Sequence, residues 1–300
     1  MDGKPSFRED SAEQATREAE GGFRQPERFA SIDSTNRYLS ERAREGAPEG
    51  VSVLAERQTA GRGRLGRRWI DAPDSSVLCS VLFRPALAVE EWHLLSWIVA
   101  LSGRDACADV AGVETLFKWP NDLLAGDRKV AGVLAHVAVP PGERESPAVV
   151  VGIGINCNWP AAWPPRDDPD AADIVLNATS LDRAAGHQID RDLVAARLLE
   201  RVAQRYGVLT AATAATAATT ATATTATAAT TGPENARRAK AGIATEYRRN
   251  CATIGKAVRV DLADESFTGT AMDVDDRGRL LVDTGACTRT VEAGDVVHLR

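Results

Sequence analysis

Residue patterns that cross-link a chain, bind a metal or span a membrane are scarce in this sequence. Its 5 cysteines are widely separated and form no Cys-x-x-Cys pair, so they predict free thiols in a reducing compartment instead of a disulfide framework. The 4 histidines are equally dispersed, and their spacing indicates no metal site. No apolar run is long enough to cross a bilayer, and the polar N-terminus is not typical of a signal peptide. We therefore expect a cytoplasmic protein that does not associate with membranes.

Excess positive charge is also absent, because the formal net charge of the 300 residues is -6. Such a chain is repelled by nucleic acid, so we predict no nucleic-acid partner. The hydrophobic content of 44% is enough for one large core and a small second domain. Arginine far outnumbers lysine, so the few lysines, notably Lys118 and Lys129, invite a specific explanation.

Composition divides the chain into three predicted regions. Residues 1–28 are charged and lack apolar periodicity, which predicts a disordered tail. Residues 29–250 alternate strand and helix patterns, which predicts a large domain of mixed helix and strand. Within it, every residue at 210–231 is Ala or Thr, and we predict a surface insertion that is disordered or marginally helical. Residues 251–300 contain short β-patterned runs between Asp/Gly turns, which predicts a small barrel.

Hydrophobic periodicity locates the main elements of this larger domain. Strands are expected at 51–55, 77–83, 116–120 and 148–156, a further strand begins at 128, and helices are expected at 33–45, 89–110 and 192–206. In the C-terminal region, strand patterns occur at 256–262, 267–274, 280–284 and 289–299. These elements predict a domain of mixed helix and strand with a small β-rich domain after it.

The sequence ERQTAGRGRLGRRW at 56–69, hereafter the arginine loop, is the only concentrated basic stretch. Closely spaced glycines let backbone N–H groups approach a ligand, and successive N–H groups form a concavity that attracts anions. Arginine adds planar donors that suit phosphate and carboxylate. A flexible basic segment or a nucleic-acid patch is the alternative. The flanking strand patterns favour a loop inside a domain that binds a small anionic molecule.

Three other stretches carry both an ordinary and a functional interpretation. The polar cluster at 33–36 either caps the helix that follows it or faces a polar group of a ligand. Gly152 and Gly154 alternate along a predicted strand, so they lie on one face and mark either a close approach to the backbone or a bend. Lys129 begins a strand, where a lysine is usually solvated.

Together these stretches resemble the four motifs of biotin–protein ligases. The motifs are DSTN at 33–36, Q-x-x-GRGR-x-GR-x-W at 58–69, KWPND followed by RKVAG at 118–132, and G-x-G-x-N at 152–156. The resemblance, which extends from residue 29 to 300, implies an α/β (α+β) fold. It comprises a mixed-sheet, class II synthetase-like catalytic domain and a C-terminal SH3-like small β-barrel. The implied activity forms biotinyl-5′-AMP from biotin and ATP, and then transfers biotin to a lysine of a biotin carboxyl carrier domain.

The resemblance also implies a role for individual residues. Biotin would be bound by Ser34, Thr35, Asn36, Gln58, Gly61, Arg62, Gly63, Arg64, Lys129, Gly132, Gly152 and Gly154, the last three leaving room for the flat bicyclic ring. Arg64 and Lys129 would be catalytic, because their charges suit the carboxylate and phosphate oxygens. ATP and the adenylate would be bound by Trp69, Lys118, Asn121 and Asn156. The implied cofactors are ATP and Mg²⁺, and Asp122 either helps to hold Mg²⁺ or only makes the turn.

Three alternatives stay open at this point. Lipoate–protein ligases share the fold and the adenylate strategy, but the arginine loop and KWPND are of the biotin type. A biotin-dependent transcriptional repressor would need a helix-turn-helix module, for which residues 1–28 are too short. A catalytically inactive biotin-binding protein is the third alternative. The presence of both Arg64 and Lys129 argues against it. The sequence leaves open which carboxylase carrier is modified and whether the protein forms a homodimer.

Overall fold

The computed structural model of the protein describes residues 25–139, 147–165, 167–222 and 228–299, with side chains described outside 215–232. The predicted N-terminal tail lies outside the described residues as far as residue 24. The larger sheet comprises β1 (Glu27–Phe29), β2 (Ser52–Ala55), β3 (Ser76–Phe83), β4 (Leu116–Lys118), β5 (Asp122–Ala125), β6 (Arg128–Ala138) and β7 (Ala148–Asn156). Its spatial order is β1-β2-β3-β7-β6-β5-β4, and β1 and β2 are parallel whereas the other described pairs are antiparallel.

Helices cover both faces of this sheet. They are α1 (Thr35–Arg44), α2 (His93–Ala111), α3 (Ala171–Asn177), α4 (Leu181–Ala185), α5 (Arg191–Thr222) and α6 (Ala228–Arg249). Side chains alternate between the faces of a strand, so Leu82 packs in the cluster with α1 while Val81 packs with α2, α5 and α6. None of the helices in the described ranges is both long and apolar enough to cross a membrane.

Helix α5 continues well beyond its predicted end at residue 206. Val194, Leu198 and Val202 are buried at a spacing of four, which places one apolar stripe against the core. The hydroxyls of Thr210 and Thr213 donate to the carbonyls four residues earlier, at 3.0 and 3.1 Å. The threonines therefore satisfy their polar groups within the helix. The backbone of the Ala/Thr segment is helical as far as Thr222 and again from Ala228, and 223–227 lie outside the described residues.

A second sheet of five antiparallel strands forms the C-terminal part of the structure. Its strands are β8 (Ala257–Asp261), β9 (Ser266–Val274), β10 (Leu280–Asp283), β11 (Thr288–Val291) and β12 (Asp295–His298), in the order β11-β10-β9-β8-β12. Its buried valines and leucines join the core beneath the larger sheet. Trp119 links the two sheets, because its backbone N–H donates to Thr253 Oγ1 at 3.0 Å and its Nε1 to the Gly278 carbonyl at 2.9 Å.

The mixed sheet with covering helices and a small antiparallel domain confirms the predicted fold class. Differences are confined to boundaries and short elements. The predicted helix at 89–110 is a 3-10 turn, Val89–Glu91, followed by α2, and the predicted strand at 289–299 is divided into β11 and β12. Strands β1 and β5 were not predicted, because β1 lies mostly in the charged N-terminal stretch and β5 begins within the Asn121-Asp122 pair, which favours a turn. The domain boundaries proposed from composition remain predictions.

Candidate functional site

A cleft that is open to solvent lies on the face of the larger sheet that α1 covers. Most of its lining comes from the predicted motifs: Ser34, Thr35, Asn36, Gln58, Arg62, Trp69, Gly132, Gly152 and Gly154. Three further lining residues were not predicted, namely Cys79, Leu134 and Ile153. Residues separated by more than 100 positions in the sequence thus surround one volume.

The polar cluster before α1 both caps the helix and faces the cleft. The Ser34 hydroxyl accepts a hydrogen bond from the Arg37 N–H at 3.4 Å, which is an N-cap contact. Thr35 donates from its N–H and its hydroxyl to Gln58 Oε1, at 2.8 and 3.1 Å. The two interpretations of this cluster are therefore compatible. Because Gln58 Oε1 is engaged twice, the amide of Gln58 is held in one orientation.

Asn36 lies across three strands at the base of the cleft. Ser80 on β3, Gly152 on β7 and Leu134 on β6 are direct neighbours in the sheet. The Asn36 Oδ1 accepts from Ser80 Oγ at 2.7 Å, and its Nδ2 donates to the Leu134 carbonyl at 2.9 Å. A Cβ at Gly152 would lie 2.2 Å from Asn36 Oδ1. Gly152 is therefore required because the Asn36 amide rests on its backbone.

Trp69 has the same relationship to the next row of the sheet. Gly154 on β7 is the direct neighbour of Gly132 on β6. A Cβ at Gly154 would lie 2.5 Å from Trp69 Cζ2, and one at Gly132 would lie 3.1 Å from Trp69 Cζ3. All three glycines line the cleft, and that they leave room for a ligand ring stays a prediction. In the protein alone, the side chains of Asn36 and Trp69 lie beside Gly152 and Gly154.

Polar contacts hold the arginine loop in a compact turn. The Gly63 N–H donates to the Arg67 carbonyl at 2.7 Å, and the Trp69 N–H donates to the Gly61 carbonyl at 3.0 Å. Gly61 and Gly63 therefore shape the turn, and neither of them lines the cleft. Leu65 has a positive φ of 54° and is 68% exposed. The loop consequently depends on hydrogen bonds and ion pairs for its conformation, with little apolar anchoring.

Arg64 and Arg67 extend from this loop toward the C-terminal sheet. The Arg64 Nη1 donates to Asn121 Oδ1 at 3.5 Å and to the Gly294 carbonyl at 3.4 Å. Arg67 pairs with Asp295, and this hydrogen bond raises the pKa of Arg67. Burial lowers the pKa of Arg64. Arg64 is thus partly desolvated near the cleft, where a positive charge acts strongly on an anion.

Lys129 lies beside Trp69 and Gly132 at one end of the cleft. Its Nζ is 5.7 Å from the centre of the Trp69 ring and 2.7 Å from Asp122 Oδ1. A Cβ at Gly132 would lie 3.1 Å from the same Nζ. The ammonium group is therefore not a solvated strand-end charge. Lys129 and Arg64 both interact with Asp122 and place positive charge next to the side of the cleft formed by Trp69 and Gly132, hereafter its cationic end. Neither side chain is part of the lining itself.

The residues predicted to bind ATP are less closely grouped. The Asn121 Oδ1 accepts a hydrogen bond from Arg64, and its Nδ2 donates to the Val133 carbonyl at 3.0 Å. The Asn156 side chain is buried and donates to the Thr179 carbonyl at 2.9 Å, and it is not part of the cleft lining. Lys118 pairs in register with Asp122 and acts electrostatically on His298 of the C-terminal sheet. Among these residues, Trp69 lines the cleft beside Lys129, and Asn121 is linked to Arg64 by a hydrogen bond.

Metal-binding side chains do not form a preformed cage here. In the described ranges, no three His, Cys, Asp or Glu side chains are grouped so that they could hold a metal ion. Asp122 is the carboxylate at the cationic end of the cleft, next to Lys129. A single carboxylate is compatible with Mg²⁺, which is usually held by one or two carboxylates together with phosphates of the substrate.

Comparisons with known proteins agree with this geometry. The biotin/lipoate A/B protein ligase family matches residues 28–156, and the biotin protein ligase C-terminal domain matches residues 253–299. The biotin–[acetyl-CoA-carboxylase] ligase of Mycobacterium tuberculosis is 37% identical over 288 residues, which are 94% of this chain and 92% of the relative. The bifunctional ligase/repressor of Bacillus subtilis is 29% identical over 88% of this chain and 71% of the relative.

Solved structures show the same fold. The biotin protein ligase of Aquifex aeolicus in complex with biotin and ATP superposes with a TM-score of 0.66 at 24% identity, and the match covers 93% of this chain and all 100% of the other. The Leishmania major enzyme in complex with biotinyl-5-AMP has a TM-score of 0.53 at 18% identity, covering 92% of this chain and 98% of the other. The extent and identity of the match to the Mycobacterium enzyme decide the assignment. The chain belongs to the biotin protein ligase family.

Proposed function

We propose that this protein is an ATP-dependent biotin–protein ligase that forms biotinyl-5′-AMP and transfers biotin to a lysine of a carboxylase carrier domain. The observation that carries the proposal is the cleft itself. Its lining combines oriented amides and hydroxyls with the cation Arg62. Lys129 lies beside two other lining residues, Trp69 and Gly132, and Arg64 donates a hydrogen bond to Asn121. Biotin has the matching groups, with a polar ureido ring at one end and a carboxylate at the other.

In the first step, a carboxylate oxygen of biotin attacks the α-phosphorus of ATP. A bond forms between that oxygen and phosphorus, and the bond to the β-phosphate oxygen breaks, so pyrophosphate leaves with the electron pair. Two anions must approach each other in this step, which makes it electrostatically unfavourable. We propose that Lys129 and Arg64 lower this cost by presenting positive charge to the carboxylate and the phosphate. No general base is needed, since the attacking oxygen is already deprotonated.

In the second step, the ε-amine of the carrier lysine attacks the acyl carbon of biotinyl-5′-AMP. An amide bond forms, the bond between the acyl carbon and the phosphate oxygen breaks, AMP leaves, and the amine releases a proton to solvent. The mixed anhydride is reactive toward water, so the cleft has to cover it between the two steps. We propose that the arginine loop and Trp69, which lies beside Gly132 and Gly154, cover the mixed anhydride.

The residues present are compatible with Mg²⁺ as the partner of ATP. Asp122 would hold the ion together with phosphate oxygens of the nucleotide, because its carboxylate lies next to Lys129 at the cationic end. When bound, Mg²⁺ would neutralise part of the negative charge on the departing pyrophosphate. Lys129 and Arg64 would orient the reacting carboxylate and α-phosphate, and Asn121 would orient Arg64 through the hydrogen bond between them.

Incubation of the protein with ATP, Mg²⁺, biotin and a carrier domain, followed by detection of protein-bound biotin, tests the proposal. We expect biotinylated carrier and pyrophosphate in equal amounts. Lys129→Ala is expected to lower adenylate formation by a factor on the order of 10² to 10³. Lys256→Ala, which removes an exposed lysine of the C-terminal sheet, is the matched control and should leave the rate unchanged. An intact protein that forms no adenylate under these conditions would refute the proposal.

Lipoate is the competing vitamin, because the family model covers ligases for both. A ligand present at 100 times its dissociation constant adds about 2.7 kcal/mol to the free energy of unfolding. We expect biotin to raise the melting temperature and lipoate to leave it unchanged at the same concentration. A larger shift with lipoate would reassign the substrate while leaving the adenylate chemistry in place.

A further inference from the structure

Ser80 is a buried hydroxyl on β3 that the proposed reaction does not use. Its relative exposure is 0%, and it does not line the cleft. Its Oγ lies 2.7 Å from Asn36 Oδ1 and 2.8 Å from Thr35 Oγ1. Both of those side chains do line the cleft. Ser80 thus supports, from within the sheet, two polar groups that a ligand would meet.

The contact with Asn36 supports the oxygen of its amide. The amide lies above Gly152, with Oδ1 at Ser80 and Nδ2 at the Leu134 carbonyl. A flipped amide would bring Oδ1 against the Leu134 carbonyl, and two acceptors would then face each other. The Leu134 carbonyl therefore fixes which way the amide faces, and the Ser80 hydroxyl holds Oδ1 in place from the opposite side. The second Nδ2–H and the second lone pair of Oδ1 keep fixed directions as a result.

The contact with Thr35 continues to Gln58. The Thr35 hydroxyl lies 2.8 Å from Ser80 Oγ on one side and 3.1 Å from Gln58 Oε1 on the other. Ser80 and Thr35 together make three oxygen–oxygen contacts, from Ser80 to Thr35, from Thr35 to Gln58 and from Ser80 to Asn36. The two hydroxyl groups have only two protons for these three contacts. The proton that Ser80 directs to one neighbour is not available to the other. Removal of the Ser80 hydroxyl would therefore change the hydrogen bonding of Asn36, Thr35 and Gln58 at once.

We propose that Ser80 is a positioning residue for the biotin end of the cleft, which sets the donor and acceptor directions of Asn36 and Thr35 without touching the ligand. This inference rests on the proposed function. A ureido group presents two N–H donors and one carbonyl acceptor in a single plane. A site recognises it only when complementary atoms have fixed directions, since unmatched buried polar groups are costly. Ser80 thereby contributes to affinity for biotin and leaves affinity for ATP unaffected.

The test compares Ser80→Ala with the parent protein, using biotin binding by calorimetry without ATP and the KM values for biotin and ATP. We expect the dissociation constant and KM for biotin to rise about 10-fold, since Asn36 and Thr35 lose a buried partner. The KM for ATP should stay within about twofold. Desthiobiotin keeps the ureido group and lacks the thioether, so its affinity should fall by the same factor as that of biotin.

Two further variants separate positioning from general loosening of the fold. Ser102→Ala removes an equally buried hydrogen bond, from Ser102 Oγ to the Ile98 carbonyl at 2.7 Å, in α2 on the other face of the sheet. It should leave biotin affinity unchanged. In a double-mutant cycle, Ser80→Ala and Thr35→Ala should be non-additive, because Ser80 acts partly through Thr35. Additive losses would show that Ser80 does not act in this way.

The other outcomes separate the role of Ser80 from the proposed function. Unchanged biotin affinity in folded Ser80→Ala, or an equal rise of both KM values, overturns the inference while the proposed function stands. Failure of the parent protein to bind biotin overturns the proposed function instead. If Ser80→Ala does not fold, Ser80→Cys keeps a side chain of similar shape with a weaker donor. The Ser80→Cys variant should then raise the dissociation constant for biotin, and an unchanged constant would refute the positioning role of Ser80.

Discussion

Arg67 of the arginine loop forms an ion pair with Asp295 at the start of β12, which connects the loop to the C-terminal sheet. The neighbouring residue of the sheet, Gly294, accepts a hydrogen bond from Arg64 at 3.4 Å. Two arginines three positions apart thus contact two consecutive residues of the other domain. The conformation of the loop over the cleft therefore depends on where the C-terminal sheet is held.

Asp295→Asn should loosen the arginine loop without destabilising the protein. The Arg67 side chain is 61% exposed, and an exposed ion pair contributes about 0–1 kcal/mol to the free energy of unfolding. We therefore expect a nearly unchanged melting temperature but faster amide hydrogen exchange at residues 61–69. Glu265→Gln, which breaks the exposed pair with Arg289 within the C-terminal sheet, is the control. If both variants leave exchange in the loop as it is in the parent, the pair does not hold the loop.

Gly154→Ala should displace Trp69, because the added methyl group would lie 2.5 Å from Cζ2 of the ring. Overpacking of this kind costs about 1–3 kcal/mol in the free energy of unfolding. Chemical denaturation measures this loss, and tryptophan fluorescence of the folded variant reports the displaced ring. Gly207→Ala in α5 is the matched control, since no atom lies within 4 Å of its Cβ position. There, alanine should stabilise the helix by about 0.5–1 kcal/mol. An unchanged stability of Gly154→Ala would mean that the ring yields at no cost.

The stability of the protein should depend on pH through Asp71, which lies two residues after Trp69. Burial raises the pKa of Asp71 from 3.8 to about 6. Between these values the folded protein binds more protons at this site than the unfolded chain, so the free energy of unfolding falls as pH rises from about 4 to about 6. Asp71→Asn should remove this contribution, which denaturation across that interval would reveal. Asp74→Asn, at an exposed aspartate, should keep the pH dependence of the parent. Identical profiles for the parent and Asp71→Asn would contradict the prediction.

Much of the candidate site follows from the sequence because its motifs are local. The arginine loop, the capping cluster and the alternating glycines each have a chemical signature within a few residues. The fold then needs only to bring them to one face of the sheet, and nine cleft-lining residues were predicted in this way. Asn156 belongs to a predicted motif but does not line the cleft, and its side chain donates a hydrogen bond to the Thr179 carbonyl.

The contacts that escaped prediction connect distant segments. Nothing near Trp119 in the sequence indicates that its indole binds the Gly278 carbonyl, and nothing near Arg67 indicates Asp295. The glycines of β7 predict a close approach to the backbone, but nothing near them in the sequence indicates that Asn36 and Trp69 make one. Ser80 did leave a signal, since a hydroxyl in the apolar run at 77–83 has to find a buried partner. Its partner, Asn36, is visible only once β3 and α1 are placed in space.

The pair formed by Lys129 and Asp122 should be exchanged for contacts with anions when substrates bind. In the protein alone, the Asp122 carboxylate neutralises the Lys129 ammonium at 2.7 Å. Asp122→Asn removes that counter-charge, so inorganic pyrophosphate measured without a divalent cation should bind about 3- to 10-fold more tightly. Adenylate formation with Mg²⁺ should fall by a factor on the order of 10², because the carboxylate proposed for the ion is lost. Asp127→Asn, in the exposed turn between β5 and β6, is the control for a general change in charge. Weaker pyrophosphate binding in Asp122→Asn would show that Asp122 orients Lys129 for the anion and does not compete with it.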